Sequence, residues 1–198
     1  MLTHMGTKKI YTNRLLLRKF NVFDAEEVFK NWSNDEEVTK YLTWNPHTNL
    51  NVTKDLLDSW VLNYKIPSTY NWGIELRDTC NIIGNIGVIN FNEKNLSCEI
   101  GYCLSRKYWG KGIMSEALEE VINYLFSKVN FNRIEAKHHV DNIASGKVML
   151  KCKMKYEGTL REFRRGKNKE FVDLAVYSIL KSDYHKLTRV SMMIYRKK

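Results

Sequence analysis

The stretch Lys107-Tyr-Trp-Gly-Lys-Gly-Ile113 decides the fold, because it stands between a strand-like run and a strongly amphipathic run. The segment before it, Glu99-Ile-Gly-Tyr-Cys-Leu104, is typical of a strand, and the segment after it has helical spacing. The predicted order is therefore strand, glycine-containing loop, helix. Such a loop presents free backbone N–H groups and the positive end of a helix dipole to an anion. Gly110 and Gly112 allow the main chain to approach a phosphate without a Cβ in the way.

The loop by itself does not identify a ligand. It lacks the spacer and the Gly-Lys-Ser/Thr ending of a Walker loop, and the third glycine of a dinucleotide-binding fingerprint would fall on Ser115. A tight strand–helix turn without a ligand is the alternative interpretation. The pattern predicts a phosphate-bearing ligand held in some other way.

Composition indicates one globular domain. The chain has 198 residues, 43% hydrophobic and 27% charged. It contains no apolar run long enough to span a membrane, and its first residues lack the apolar core of a signal peptide. The four cysteines form no Cys-x-x-Cys pair. These features predict a cytoplasmic protein with reduced thiols and no membrane partner.

The formal net charge of +10 favours anionic partners, although a solvated lysine surface would give the same value. No recognition-helix or RNA-binding signature accompanies the basic residues, so no direct nucleic-acid binding is predicted. They cluster in the Arg196–Lys198 tail and at a predicted hairpin tip, which carries Arg161, Arg164, Arg165, Lys167 and Lys169.

Hydrophobic periodicity predicts alternating strands and helices. The predicted strands are 14–18, 72–77, 82–91, 96–104, 133–140, 156–163 and 171–180, and the predicted helices are 24–32, 35–41, 51–64, 112–128 and 142–152. There is no internal repeat and no linker. A meander, a strand–helix–strand–helix unit and a closing hairpin predict a mixed sheet in a single α/β domain over 1–198.

The chain resembles the GNAT superfamily of N-acetyltransferases, and more narrowly its ribosomal-protein (RimJ/RimL-like) branch. The resemblance rests on Thr12–Arg18, on Glu99–Leu104 with Tyr108–Ala117, and on a later half formed by Arg133–Ala136, Asp141–Ser145 and Tyr156–Arg161. It spans about 10–180 and leaves 181–198 as a C-terminal tail.

This resemblance implies a mostly antiparallel twisted sheet with helices on both faces and two splayed parallel central strands, 97–104 and 133–140. It implies acetyl-CoA as cosubstrate and no metal. The backbone of the first splayed strand would hold the pantetheine arm and polarise the thioester carbonyl; this strand contributes Ile100, Gly101, Tyr102, Cys103 and Leu104. The loop would cradle the pyrophosphate with Lys107, Tyr108, Trp109, Gly110, Lys111, Gly112 and Ile113.

An attacking amine must lose a proton, so a base is needed. Glu99, beside the site on the splayed strand, is the first candidate, and a cross-strand surface pair is the alternative. Glu162 is the second candidate. Related enzymes are thought to use a glutamate slightly further along that strand, where this chain has Arg164.

The departing thiolate needs a proton donor. Many members of the superfamily carry a tyrosine at the position of Met149, so Ser145, one helical turn after Asn142, is the predicted donor. Asn142 is predicted to contact the coenzyme arm. A helix-surface serine and a helix-capping asparagine are the alternatives.

The predicted function is transfer of an acetyl group from acetyl-CoA to a primary amine. The acceptor is a protein N-terminus, such as that of a ribosomal protein, or a small amine such as a polyamine, amino sugar or antibiotic. A non-catalytic acyl-CoA-binding protein is the rival class, and a homodimer is left open. His138 and His139 are adjacent on a strand, which points them to opposite faces and excludes a shared metal.

Overall fold

The computed structural model describes residues 1–167 and 169–184. Eight strands form one sheet in the order β1-β2-β3-β4-β5-β6-β8-β7. They are β1 Ile10–Tyr11, β2 Leu15–Arg18, β3 Asn71–Leu76, β4 Ile82–Asn92, β5 Ser97–Leu104, β6 Arg133–His139, β7 Lys155–Arg165 and β8 Phe171–Leu180.

The helices lie in three segments between strands. They are α1 Ala25–Val28, α2 Glu36–Thr39, α3 Leu50–Asn63, α4 Ile113–Tyr124 and α5 Ile143–Lys151. The predicted mixed α/β fold is confirmed, because every strand pair is antiparallel except β5 with β6.

The parallel pair is short. Its register covers only Ser97–Glu99 against Arg133–Glu135, so the two strands separate beyond that point. The neighbouring pair of β4 with β5 also changes register between Val88 and Asn90. A bulge of this kind bends its strand, and bulges are frequent beside functional sites. The predicted splay of the central strands is therefore present.

Two hydrophobic cores cover the two faces of the sheet. Ile82 packs with α1 and α3 in one core, and Ile83 packs with α4 in the other. Successive residues of a strand point to opposite faces, so these neighbours serve different cores. The helices therefore lie on both sides of the sheet, as predicted.

The predicted helix 24–32 begins differently. A 3-10 turn at Val22–Asp24 precedes α1, and Asn21 caps this turn by accepting from the Phe23 N–H. Asp24 lies at the third position, where its carboxylate accepts from the Asn21 N–H. This reciprocal pair is a capping box, and it moves the start of the helical segment upstream.

The remaining differences are small. β1 was not predicted, and the last turns of two predicted helices are π-helical, at Phe29–Ser33 and Leu125–Val129. Residues 181–184 of the predicted C-terminal tail are helical. The remainder of the tail, with Arg196–Lys198, lies outside the described residues. Over the described part of the chain, no helix is both long and apolar enough to cross a membrane.

Candidate active site

A cavity of about 880 Å³ opens where β5 and β6 separate. Residues of β4, β5, β6 and α5 line it, together with the segment between α2 and α3. Four of the five predicted strand residues, Ile100–Cys103, are among the lining residues, whereas Leu104 is buried in the core. The cavity is therefore formed by the splay itself.

Within residues 1–167 and 169–184, no strand pairs with the edge of β5 that faces the splay after Glu99. Peptide groups on this edge lack the cross-strand partners that they would have in a continuous ladder. An extended polar chain can bond to such an edge. Its N–H groups can also polarise a carbonyl, because they are fixed by the pairing of β5 with β4 on the other side.

The predicted anion loop lies at the start of α4. Gly110 and Gly112 both have φ of +72°, a conformation that favours glycine. Gly112 is the N-cap residue of α4, so the free N–H groups of the first turn follow it directly. A Cβ added at Gly110 would meet nothing within 4 Å, which leaves open space beside the backbone there.

Long-range contacts hold this loop in place. Arg14 donates to the Lys111 carbonyl oxygen at 3.0 Å and pairs with Glu116 at 2.7 Å. The ammonium groups of Lys107 and Lys111 lie 5.7 Å and 5.5 Å from the centre of the Tyr108 ring. The loop is therefore anchored and flanked by two positive charges, which suits a pyrophosphate.

The other two predicted loop residues have structural contacts. Trp109 donates its indole N–H to the Leu104 carbonyl at 2.8 Å. The Ile113 side chain is buried in the core, which leaves only its backbone available to a ligand. These contacts join the end of β5 to the start of α4.

Glu99 lines the cavity and is already paired. Its Oε2 accepts from Lys137 Nζ at 2.6 Å, and the same ammonium donates to Glu135 at 2.8 Å. Burial alone would lower the pKa of Lys137, but the hydrogen bonds to the two carboxylates outweigh it and raise the pKa.. One oxygen of Glu99 is therefore occupied, and proton transfer would use the other oxygen or a bridging water.

Glu162 is not among the cavity-lining residues. It lies in β7, where the register with β8 shifts between Leu160 and Arg164, and it has φ of +49°. Its backbone N–H donates to the Asp173 carboxylate at 2.7 Å, and its side chain is exposed. The bulge thus separates the second predicted base from the cavity in this conformation, while Arg164 does line the cavity.

Ser145 and Tyr102 form a hydrogen-bonded pair on the cavity wall. Ser145 Oγ donates to Tyr102 Oη at 3.0 Å, and Tyr102 Oη donates to the Ser145 carbonyl at 3.1 Å. Burial raises the pKa of the Tyr102 phenol above its ordinary value, although the Ser145 hydrogen bond lowers it in part. The phenol is therefore protonated at neutral pH and can donate a proton.

Asn142 caps α5, since its side chain accepts from the Ser145 N–H at 3.2 Å. It also lines the cavity, so the capping and coenzyme-contact interpretations do not exclude each other. Met149 lines the same wall but is only 1% exposed. A tyrosine could not replace it there without displacing core side chains.

The two adjacent histidines pack against different elements. His138 stacks on Tyr177 at 5.5 Å, and its Nδ1–H donates to the His139 carbonyl at 2.7 Å. His139 packs on Tyr41 at 5.1 Å. The part of the chain that the structure describes contains no cluster of three metal-ligating side chains.

Sequence reasoning missed the side-chain contacts of three cavity residues. Tyr102 was predicted only for its place in the first splayed strand, and Arg164 only as a basic residue of the hairpin tip that stands where related enzymes have a glutamate. His47 was not predicted to have a functional role; its Nδ1 is hydrogen-bonded to the Thr53 hydroxyl at 2.7 Å, and burial lowers its pKa. No local signal points to these roles, because each depends on contact with a distant part of the chain.

A family model and similar sequences both identify this chain with one family of enzymes. Residues 14–155 match the family described as acetyltransferase (GNAT) domain, whose members use acetyl-CoA. The N-acetyltransferase p20 of Bacillus licheniformis is 36% identical over 176 residues, covering 88% of this chain and 97% of that protein.

One solved structure and one further sequence support the same family. The crystal structure of a GNAT-family acetyltransferase from Bacillus anthracis has a TM-score of 0.78 and 28% identity, covering 88% of this chain and 99% of that one. The ribosomal-protein-serine acetyltransferase of Escherichia coli is 38% identical over 80 residues, which is 39% of this chain and 45% of that protein. On this coverage and on the splayed parallel strands beside a glycine-containing loop, the chain belongs to the GNAT family of acetyltransferases, as the motifs predicted.

Proposed function

We propose that the protein transfers the acetyl group of acetyl-CoA to a primary amine that enters the cavity between β5 and β6. The observation that carries this proposal is the end of the β5–β6 ladder at Glu99–Glu135, which leaves one strand edge free inside a cavity. Acetyl-CoA supplies an activated thioester. The pyrophosphate would bind the loop Lys107–Gly112, and the pantetheine arm would follow the free edge of β5.

The roles of the side chains follow from their contacts. Glu99, oriented by Lys137, would take the proton of the attacking amine directly or through a water. The Ser145–Tyr102 pair would supply a proton to the departing thiolate. Tyr102 can turn its O–H from the Ser145 carbonyl toward the sulfur, and Ser145 then stabilises it by donating to the same oxygen.

We do not restrict the proposed acceptor to the N-termini of ribosomal proteins. In sequence, the two ribosomal-protein acetyltransferases of Escherichia coli match 39% and 50% of this chain, whereas the p20 protein matches 88% of it. A protein N-terminus and a small amine are therefore both acceptors to test.

The test uses the full chain with acetyl-CoA and an amine panel of ribosomal-protein N-terminal peptides, polyamines and aminoglycosides. We expect thiol release that depends on one class of amine, with acetylated product detected by mass spectrometry. Binding of acetyl-CoA is measured separately by calorimetry. Tight binding with no acetylation of any amine would contradict the proposal and favour a non-catalytic acyl-CoA-binding protein.

A further inference from the structure

Charge is unevenly distributed around the cavity. Among the described residues that line it, the acidic and basic side chains other than histidine are Glu99, Lys137 and Arg164. Glu99 and Lys137 pair with each other at 2.6 Å. Arg164 is therefore the one lining charge that no other lining residue neutralises.

Within the described part of the chain, one hydrogen bond from the Arg164 side chain to another residue is present. One terminal nitrogen donates to the Tyr41 carbonyl at 3.2 Å. Its Nε is buried and has no hydrogen-bond partner among the described residues. No carboxylate of the described residues forms an ion pair with the Arg164 guanidinium. Removing a charged donor from water without a partner is costly, so such a group gains strongly from an incoming acceptor.

The position of Arg164 suits a substrate contact. The Tyr41 ring, beside the carbonyl that Arg164 binds, packs on His139 at the end of β6, and both residues line the cavity. Lys167, further along the same hairpin, donates to the Thr39 carbonyl at 2.5 Å. The hairpin is thus hydrogen-bonded to the last residue of α2 and to the segment after it, which holds the guanidinium at the cavity wall.

We propose that Arg164 selects acceptors that carry an anionic group, a carboxylate or a phosphate, near the amine that is acetylated. A guanidinium offers parallel N–H donors that match the two oxygens of a carboxylate or phosphate. This inference rests on the proposed acetyl transfer, since it names the class of amine that the same cavity accepts. Arg164 stands where related enzymes are thought to use a glutamate, and its role here would be to bind the acceptor rather than to transfer a proton.

The experiment compares acceptors that share one N-terminal alanine amine and differ only in a charge. The pairs are Ala-Glu amide with Ala-Gln amide, Ala-phosphoserine amide with Ala-Ser amide, and Ala-Ala with its C-terminal amide. The first two pairs represent acidic peptide N-termini, and the third represents a small amino-acid-like acceptor. We expect kcat/KM to favour the anionic member of at least one pair by about ten- to a hundredfold, the range of a charged hydrogen bond.

Three variants assign the preference to the residue. Arg164→Gln should bring the ratio within each pair close to one, and Arg164→Lys should restore part of it. Arg161→Gln is the matched control, because Arg161 is an exposed arginine of the same strand that does not line the cavity. Melting temperature and acetyl-CoA affinity report whether each variant is folded.

Binding of the same dipeptides to the protein with coenzyme A is measured by calorimetry, independently of turnover. Anion-dependent binding that Arg164→Gln abolishes, without any acetylation, would preserve the recognition site and overturn the proposed reaction. A wild-type protein that treats both members of every pair alike in rate and in binding would overturn the role of Arg164. So would a preference that survives in Arg164→Gln.

Discussion

The hydroxyl pair of Ser145 and Tyr102 permits a sharp mechanistic test. Tyr102→Phe removes one oxygen and no ring volume, so the cavity wall should keep its shape. Ser145→Ala removes the hydroxyl that donates to Tyr102 at 3.0 Å. If the phenol is the proton donor and the serine supports it, the tyrosine variant should be the slower of the two.

The expected size of the effect follows from the leaving group. Proton donors in enzymes typically contribute about a hundredfold or more. A coenzyme thiol ionises at about the pKa of cysteine, roughly 8.5, so its thiolate already leaves readily near neutral pH. We therefore expect Tyr102→Phe to lower kcat about tenfold, equivalent to about 1.4 kcal/mol in the barrier. Ser145→Ala should lower kcat by roughly threefold, since it removes one supporting hydrogen bond of about 0.5–1.5 kcal/mol.

The double variant distinguishes one unit from two independent groups. When two residues act through one another, the double variant is no slower than the more damaged single variant. We expect this outcome, with the acetyl-CoA dissociation constant unchanged in all three proteins. Thiol release is measured at saturating acetyl-CoA in single-turnover mode, so that chemistry limits the rate.

Two results would refute this reasoning. A Tyr102→Phe enzyme with wild-type single-turnover rate would show that the phenol is structural. Losses that multiply in the double variant would show that Ser145 acts on its own, as the sequence predicted. The pH profile adds a check: because burial raises the pKa of Tyr102, the wild-type rate should not fall through ionisation of this phenol at its ordinary value near 10.

Three further perturbations test the rest of the site. Gly110→Val should raise the acetyl-CoA dissociation constant about tenfold or more, because φ of +72° disfavours a β-branched residue, whereas Gly110→Asn tolerates that backbone and should lose less; equal affinity in a folded valine variant would remove the loop from the site. Glu99→Gln should lower turnover about a hundredfold with coenzyme binding nearly intact, and Glu162→Gln should change little; the reverse ranking would move the base to β7, and two active variants would leave deprotonation to solvent. The hydrogen bond from Arg133, followed by that from Ser178, lowers the pKa of Glu157 from 4.5 to about 2. The contribution of the ionised Glu157 side chain to the free energy of unfolding is therefore complete above its unfolded pKa of 4.5, and it is lost as the pH falls toward 2. Thermal melting should show Glu157→Gln losing less stability than wild type over this window, and parallel curves would contradict it.

The sequence by itself determined the order of elements and the location of the glycine-containing loop. Periodicity located all but one of the strands, and two glycines between β5 and α4 indicated an anion-binding turn. These signals are local, since each arises from residues within one element or one turn. The same locality explains why the helical segment near Asp24 was placed a few residues late: its start depends on the capping box with Asn21.

Tertiary structure alone decided which side chains meet. Tyr102 and Ser145 are 43 residues apart, and Lys137 reaches Glu99 across 38 residues. The parallel pairing of β5 with β6 brings these segments together. A side chain's partner in another strand cannot be derived from its own neighbours in sequence.

Glu162 and Arg164 show most clearly the difference between what local sequence predicts and what tertiary structure decides. Both lie in β7, two residues apart, and alternation alone would place them on the same face. The register of β7 against β8 shifts between Leu160 and Arg164, so Arg164 lines the cavity and Glu162 does not. A bulge is fixed by hydrogen bonds to the partner strand, here including the Glu162 N–H to Asp173. The direction of each side chain was therefore set by pairing with a distant segment rather than by the residues around it.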